Sequence, residues 1–166
     1  MNSTHTYVGV DPGISGAIAV LDFDGNVELH DMPIMQYTVG KKKKSRIDLV
    51  GVRNVFRDRA NSGHAVFVEE VNAMPGQGVT SMFNMGYGLG ALHAIFTCLY
   101  IRTVRVRPQA WKKEFGLIKK EKGDSIRVAQ ELFPLADITL KKHHGRAEAL
   151  LMAEYGRRMD QTQNSA

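Results

Sequence analysis

The chain begins with three short apolar strands joined by tight turns and then alternates helices with strands, an order that few folds accommodate. The strands are predicted at 6–10, 16–22 and 27–31, separated by the turns Asp11-Pro12-Gly13 and Asp24-Gly25-Asn26. A continuous apolar run within 64–71 predicts a fourth strand that is buried on both faces, as in parallel pairing. Right-handed crossovers would join it to a fifth strand at 101–106. The sequence therefore predicts an α/β fold with a five-stranded mixed sheet flanked by helices.

The segments between and after these strands predict helices and one long loop. Helices are expected at 49–60, 79–99, around Trp111, from Asp124 to Leu132 and from about Gly145 to Arg158. Asp48 and Asp124 are expected to cap two of them. Residues 33–46 are predicted to form a mobile loop ending in a lysine run. Because no repeat or long linker divides the chain, residues 1–160 are predicted to form a single domain, with a flexible C-terminal tail at 161–166.

Composition argues against a disulfide scaffold and against a membrane protein. Cys98 is the single cysteine of the 166 residues and has no partner within the chain. No apolar run reaches the roughly 18–20 residues that span a bilayer, and the first residues lack the basic-then-apolar layout of a signal peptide. We therefore expect no membrane partner and a cytoplasmic location, in a bacterium or a phage-infected host cell.

The net charge of +5 conceals a strong segregation of charge along the chain. Residues 39–59 hold eight basic and two acidic side chains, and residues 102–127 hold nine basic and three acidic ones. Residues 1–31 contain five acids and neither Lys nor Arg. Two solvated surfaces would explain this layout, but it also suits a polyanion such as nucleic acid, bound beside a separate acidic site.

Carboxylates fall at the places where such a site would form. Asp11 ends the first predicted strand, Glu69 and Glu70 end the fourth, and Glu148 lies in the first turn of the last helix. Ligand sites in such sheets lie at the carboxyl ends of strands, and strand alternation lets only one of the two glutamates face the site. His144 precedes Glu148 by one helical turn. Clustered oxygen ligands select Mg²⁺ or Mn²⁺, and a pair of such ions supports phosphodiester cleavage.

Each of these residues also has a purely structural interpretation. An Asp before Pro-Gly is typical of a turn, a Glu near a helix N-terminus stabilises the helix dipole, and the pair His143-His144 is typical of a protein surface. Trp111 is more typical of a core anchor than of a surface on which bases stack. The occurrence of all these residues in one chain favours a metal site, because a purely structural interpretation would have to be correct for each of them.

These motifs, in this order, resemble the RuvC-type Holliday junction resolvases of the RNase H-like superfamily, with a phage or prophage member as the nearest type. The matching pieces, within residues 6–158, are Val8-Gly9-Val10-Asp11-Pro12-Gly13 with Gly16, Val68-Glu69-Glu70-Val71, and Glu148-Ala149-Leu150-Leu151-Met152-Ala153. The resemblance implies that Asp11 bridges two ions, with Glu69 and Glu148 as further ligands. The family's fourth ligand position falls on Gly145, which leaves His144 as the nearest replacement.

The resemblance also implies an activity and its partners. It implies a metal-dependent, structure-selective endonuclease that resolves four-way DNA junctions by paired symmetric nicks, as a homodimer, with two Mg²⁺ (or Mn²⁺) per active site. Lys112 and Lys122 roughly match basic residues that assist cleavage in the family. The family's aromatic wedge is missing from 72–78, where Met74 or, further on, Phe83 would have to serve. The alternatives are a less specific branched-DNA or flap nuclease of the same fold, and a catalytically inactive junction-binding module.

Overall fold

The structure, a computed structural model, describes residues 6–59, 64–73 and 75–164, without the side chains of Lys122, Gln163 and Asn164. The strands are β1 (Tyr7–Asp11), β2 (Ala17–Leu21), β3 (Val27–Asp31), β4 (Ile34–Val39), β5 (Lys42–Ile47), β6 (Ala65–Glu69) and β7 (Arg102–Val106). The helices are α1 (Leu49–Arg57), α2 (Val79–Cys98), α3 (Pro108–Glu114), α4 (Lys122–Leu132) and α5 (His144–Asn164), the last preceded by a single 3₁₀ turn, Lys141–His143. Within the described ranges, no helix is long and apolar enough to cross a membrane.

The main sheet has five strands in the order β3-β2-β1-β6-β7, which confirms the predicted fold class. The first three strands pair antiparallel, whereas β1 with β6 and β6 with β7 pair parallel. In the parallel pair, Val10 lies opposite Val68. Asp11 and Glu69 each follow these residues by one position, so they reach the same edge of the sheet on neighbouring strands.

Alternate side chains of the sheet enter two separate cores. Val8 and Val10 of β1 pack on one face with Phe56 of α1 and Phe96 of α2. Tyr7, on the opposite face, belongs to the core that α3, α4 and α5 cover. The period-two alternation of the strand thus produces a three-layer arrangement, with a helical layer on each side of the sheet.

Helix α5 lies unusually close to the strands beneath it. A Cβ atom added at Gly9 of β1 would lie 1.9 Å from the carbonyl oxygen of Ala149, and one added at Gly156 of α5 would lie 2.2 Å from the ring of Phe67. Real Cβ atoms do not approach that closely, so glycine is required at Gly9, where the neighbour is backbone, and a side chain at Gly156 would displace the buried Phe67 ring. Backbone contact therefore fixes the distance between α5 and the sheet.

The predicted mobile loop at 33–46 is wrong, because this segment forms a β-hairpin. Strands β4 and β5 pair antiparallel in a sheet of their own, from Ile34 opposite Ile47 to Val39 opposite Lys42. Gly40 adopts a φ of 61° in the connecting turn. The lysines suggested a loop because they are solvated, but an exposed strand also keeps charged side chains in water. The hairpin with its turn therefore carries five of the eight basic side chains of residues 39–59 as a defined arm, namely Lys41, Lys42, Lys43, Lys44 and Arg46.

Three helix ends differ from the prediction. α1 stops at Arg57 instead of continuing to 60, although Asp48 caps it as expected by accepting from the N–H of Val50 (3.1 Å). Glu121, and not Asp124, occupies the N-cap of α4, and the Asp124 carboxylate accepts from the Glu121 N–H (3.0 Å) in a capping box. α5 continues to Asn164, into the predicted tail. The single domain at 1–160 and the flexibility of 161–166 stay predictions.

Candidate active site

The structure gathers the three predicted carboxylates at the carboxyl ends of β1 and β6. Asp11 ends β1, Glu69 ends β6 and Glu148 projects from the first turns of α5. Burial, followed by the negative charges of Asp11 and Glu148, raises the pKa of Glu69 to about 7, against the opposing effects of a Trp111 hydrogen bond and the Lys112 charge. The carboxylates are therefore close enough to repel one another, as the sequence predicted for this edge.

Asp11 is both a turn residue and a member of the site. Its Oδ1 accepts from the N–H of Gly13 (3.3 Å), and the N–H of Gly16 closes the turn on the Gly13 carbonyl (2.9 Å). A Cβ at Gly16 would lie 2.1 Å from the Asp11 carbonyl oxygen, so a side chain there would push the turn open. The structural and functional interpretations of Asp11 are thus compatible, since the turn holds the carboxylate in place.

Two hydrogen-bond donors that sequence reasoning missed hold the other carboxylates. The fully buried Trp111 donates from Nε1 to Oε1 of Glu69 (3.2 Å), and the hydroxyl of Ser125 donates to Oε1 of Glu148 (3.4 Å). Trp111 is a core anchor, as predicted, and it also orients a site residue. The N–H group of a buried indole needs a hydrogen-bond acceptor. This requirement is the feature of the sequence that could have predicted a polar partner for Trp111.

Glu70, the second member of the glutamate pair, serves a structural role. Its carboxylate lies 3.1 Å from the guanidinium of Arg105 and 3.6 Å from that of Arg107. Strand alternation sends it away from Glu69, so one of the two glutamates faces the site and the other becomes an ion-pair partner. This division is the one predicted for the pair.

Position 145 has no room for a side chain. A Cβ at Gly145 would lie 2.5 Å from the carbonyl oxygen of Ser15 and 3.0 Å from the Cα of Gly16. The turn that follows Asp11 therefore packs directly on the first turn of α5. The departure from the family pattern at this position has a physical reason, because an acid here would separate α5 from the Asp11 turn.

The two neighbouring histidines differ in their surroundings. His144 is the first residue of α5 and is partly exposed, one helical turn before Glu148. His143 is buried, accepts a hydrogen bond at Nδ1 from the N–H of Leu140 (3.4 Å) and lies 3.9 Å from the Asp137 carboxylate. The interpretation of both histidines as surface residues is therefore wrong for His143, and His144 keeps its place as the candidate fourth ligand.

Of the two candidate lysines, Lys112 lies at the site. Its Nζ is 5.1 Å from the centroid of the Trp111 ring, and its charge lowers the pKa of Glu69. The backbone of Lys122 begins α4, but its side chain lies outside the described part of the chain. Met74, named as a wedge candidate, also lies outside the described residues, whereas Phe83 is well exposed on α2.

The donor set of the site suits a divalent cation by its chemistry. Asp11, Glu69 and Glu148 provide only carboxylate oxygens, which Mg²⁺ and Mn²⁺ prefer, and a bound cation would relieve the repulsion that raises the pKa of Glu69. Among the residues that the structure describes, no three His, Cys, Asp or Glu side chains form a ready-made metal cluster. The ligand atoms are of the type that a divalent cation binds, although the side chains do not form a closed cluster around a cation position.

Replacing Glu69 with Gln is expected to stabilise the cation-free protein above pH 7 by about 2–3 kcal/mol. Folding raises the pKa of Glu69 from its ordinary 4.5 to about 7, so the wild-type protein loses stability as the pH rises between these values. Gln cannot ionise, and its amide oxygen still accepts from Trp111. Urea unfolding in EDTA at pH 4 and pH 8 measures the effect, and an equal gain at both pH values would contradict it.

Comparisons with known proteins support the fold and the predicted resemblance. No protein-family model matches the chain. A curated protein of Chlamydomonas reinhardtii, "Holliday junction resolvase MOC1, chloroplastic", is 36% identical over 96 residues, which are 54% of this chain and 10% of that protein. The chain thus spans about a tenth of the length of this relative.

Two solved structures of RuvC resemble the whole chain. T. thermophilus RuvC in complex with a Holliday junction substrate superposes with a TM-score of 0.59 at 14% identity, covering 93% of this chain and 96% of that one. Thermus thermophilus RuvC alone gives a TM-score of 0.56 at 16% identity, with the same coverage. These comparisons confirm the predicted resemblance to RuvC, whereas the phage or prophage type stays a prediction, and the chain has the RNase H-like fold of RuvC.

Proposed function

We propose that this protein is a metal-dependent, structure-selective DNA endonuclease that resolves four-way junctions by paired symmetric nicks. The observation that carries the proposal is the pairing of β1 with β6, which sets Asp11 beside Glu69 while α5 supplies Glu148. The names of the similar proteins, a Holliday junction resolvase and RuvC with a Holliday junction substrate, support the choice of substrate. The two basic segments suit the phosphates of branched DNA.

The cofactor in this proposal is Mg²⁺ or Mn²⁺, with two ions per site. Asp11, Glu69 and Glu148 would hold them, with His144, one helical turn before Glu148, as the candidate fourth ligand. Bound ions supply an activated water and stabilise the leaving oxygen. Trp111 and Ser125 orient two of the carboxylates. Lys112, whose charge acts on Glu69, would contact the phosphate beside them.

A homodimer formed through α2 completes the proposal. Additional Cβ atoms at Gly86 and Gly90 would meet nothing within 4 Å, so this side of α2 is open to a second backbone. Val79 and Phe83, on the same side, are 79% and 71% exposed. Two subunits would double the basic surface and place two acidic sites on one junction, which paired nicks require. The proposed location is the cytoplasm of a bacterium or a phage-infected cell.

A nicking assay with three end-labelled DNAs tests this function. With Mg²⁺, we expect the four-way junction to be cut faster than a fork and much faster than linear duplex, with paired cuts at symmetric positions. Equal rates on all three DNAs would instead support a less specific nuclease of this fold. Junction binding without any cleavage, in Mg²⁺ and in Mn²⁺, would support the inactive binding module.

Replacing His144 with Ala is expected to lower the cleavage rate about tenfold or more and to raise the metal concentration needed for half-maximal activity, as the loss of a metal-site residue does. A Mg²⁺ titration of cleavage measures both effects. The control is His30→Ala, since His30 lies on β3 and pairs with Glu28 (2.7 Å), which is not one of the site carboxylates. Unchanged cleavage and metal requirement in His144→Ala would show that the fourth ligand is not His144.

A further inference from the structure

A groove of about 630 Å³ lies between the β4–β5 hairpin, the first half of α2 and the turn that follows Asp11. The hairpin contributes Tyr37, Ser45, Arg46 and Ile47, and α2 contributes Ser81, Phe83, Asn84 and Gly88. Pro12, Gly13 and Ile14 form the end nearest to Asp11. The volume is in the range of sites that bind small organic molecules.

The base of the hairpin is fixed, and this gives the groove a defined shape. Ile47 is buried against α2, where a Cβ at Gly88 would lie 3.1 Å from its Cδ1. The guanidinium of Arg46 lies over the Tyr37 ring, 5.4 Å from its centroid, so a cation–π contact joins the two side chains in the wall of the groove. The groove is thus a built feature of the fold, held by contacts far apart in sequence.

The lining matches the chemistry of a nucleobase. An aromatic ring with a stacked guanidinium offers a flat surface, the floor is largely apolar, and the hydroxyl of Ser81 and the amide of Asn84 offer polar groups for a base edge. Of the described residues that line the groove, Arg46 alone is charged. Lys41, Lys42, Lys43 and Lys44 stand exposed at the far end of the same hairpin, where they would meet phosphates.

We propose that this groove binds an unpaired base of the DNA strand whose backbone passes Asp11. The proposal rests on the proposed nuclease function. It adds a binding site for a base that has lost its pairing partner at the branch point of the DNA. The charge of the hairpin favours DNA over a second copy of this chain. A second copy would approach the side of α2 that carries Gly86 and Gly90, which borders the groove only at Phe83 and Tyr87, whereas Asn84 and Gly88 lie on the opposite side of the helix and line the groove.

Single-stranded oligonucleotides containing 2-aminopurine test the groove directly, without cation and therefore without cleavage. Binding of the wild-type protein should quench the fluorescence when the base stacks on Tyr37. Tyr37→Ala should weaken binding about fivefold or more and abolish the quench, whereas Tyr37→Phe should retain both. Phe23→Ala is the matched control, because Phe23 is an exposed aromatic (64%) in the turn between β2 and β3.

Asn84→Ala provides a second variant that leaves the hairpin untouched. It should lower the affinity for the same oligonucleotides severalfold and reduce the difference in affinity among the four bases. Thermal melts verify that each variant is folded. Wild-type affinity and wild-type quench in both Tyr37→Ala and Asn84→Ala would overturn the proposal.

Two further measurements keep this proposal distinct from the proposed function and from dimer formation. If the wild-type protein cuts junction, fork and duplex equally, junction resolution fails, while the quench still reports on the groove. If junctions are resolved but Tyr37→Ala and Asn84→Ala both bind and quench like the wild type, the groove proposal alone fails. A change of molecular mass in Tyr37→Ala, with the quench retained, would make the groove an interface between copies and would also overturn it.

Discussion

Replacing Asp11 with Asn is expected to lower metal-dependent junction cleavage by at least about 10³-fold, while junction binding stays the same or tightens. Asp11 stands at the end of β1 next to Glu69, and its charge contributes to the raised pKa of that residue. Asn removes this charge but keeps the shape, and its carbonyl oxygen can still accept from the Gly13 N–H. DNA phosphates then meet one negative charge fewer.

Cleavage of a labelled four-way junction in Mg²⁺ and its binding in EDTA measure the two effects separately. Asp22→Asn is the matched control, because Asp22 is also a turn aspartate whose Oδ1 accepts from a backbone N–H, that of Asn26 (2.8 Å). The control should cut at the wild-type rate. Full cleavage by Asp11→Asn would refute the site, and loss of binding together with cleavage would show that Asp11 acts by holding the fold or the DNA.

Replacing Gly9 with Ala is expected to destabilise the protein by about 3 kcal/mol or more. The added methyl would lie 1.9 Å from the carbonyl oxygen of Ala149 and 2.7 Å from the amide nitrogen of Ala153. Both atoms belong to the backbone of α5, so no side-chain rotation relieves the clash and the helix must move away from β1. Such a loss corresponds to a fall of about 10 °C in Tm for a chain of this size.

Urea and thermal unfolding measure this loss of stability. Gly123→Ala is the control, because a Cβ there meets nothing within 4 Å in the first turn of α4. That variant should be as stable as the wild type or up to about 1 kcal/mol more stable, since Ala favours the helix. Equal stability of Gly9→Ala and Gly123→Ala would show that α5 is not held against β1 by backbone contact.

The main sheet and the carboxylate positions could be predicted because local patterns determine them. The break at Pro12-Gly13 marks the end of β1, and the apolar run before Glu69 marks the end of a buried strand. Parallel pairing of these strands then brings Asp11 and Glu69 together without any knowledge of side-chain contacts. The choice of Glu69 over Glu70 came from the family pattern, because alternation alone requires only that the two face opposite ways.

The features that were missed depend on contacts between residues distant in sequence. The second strand of the hairpin, Lys42–Ile47, has no alternation of apolar and polar residues, and Ile47 fixes the hairpin by packing on Gly88 of α2. The bond from Trp111 to Glu69 joins residues 42 positions apart. The lack of space at Gly145 arises from the backbone of Ser15, which a sequence pattern cannot reveal.

Because α5 contacts the sheet through its backbone, the positions of the acidic site residues do not depend on how the core side chains pack. Main-chain atoms at Gly9 and Gly145 set the height of α5, and with it the position of Glu148 relative to Asp11. A library that exchanges Leu150 and Met152 for other apolar residues would therefore change how firmly the protein folds, while the variants that fold keep their carboxylates aligned. In this chain the backbone places the carboxylates, Trp111 and Ser125 orient two of them, and apolar positions such as 150 and 152 have the most freedom to change in sequence.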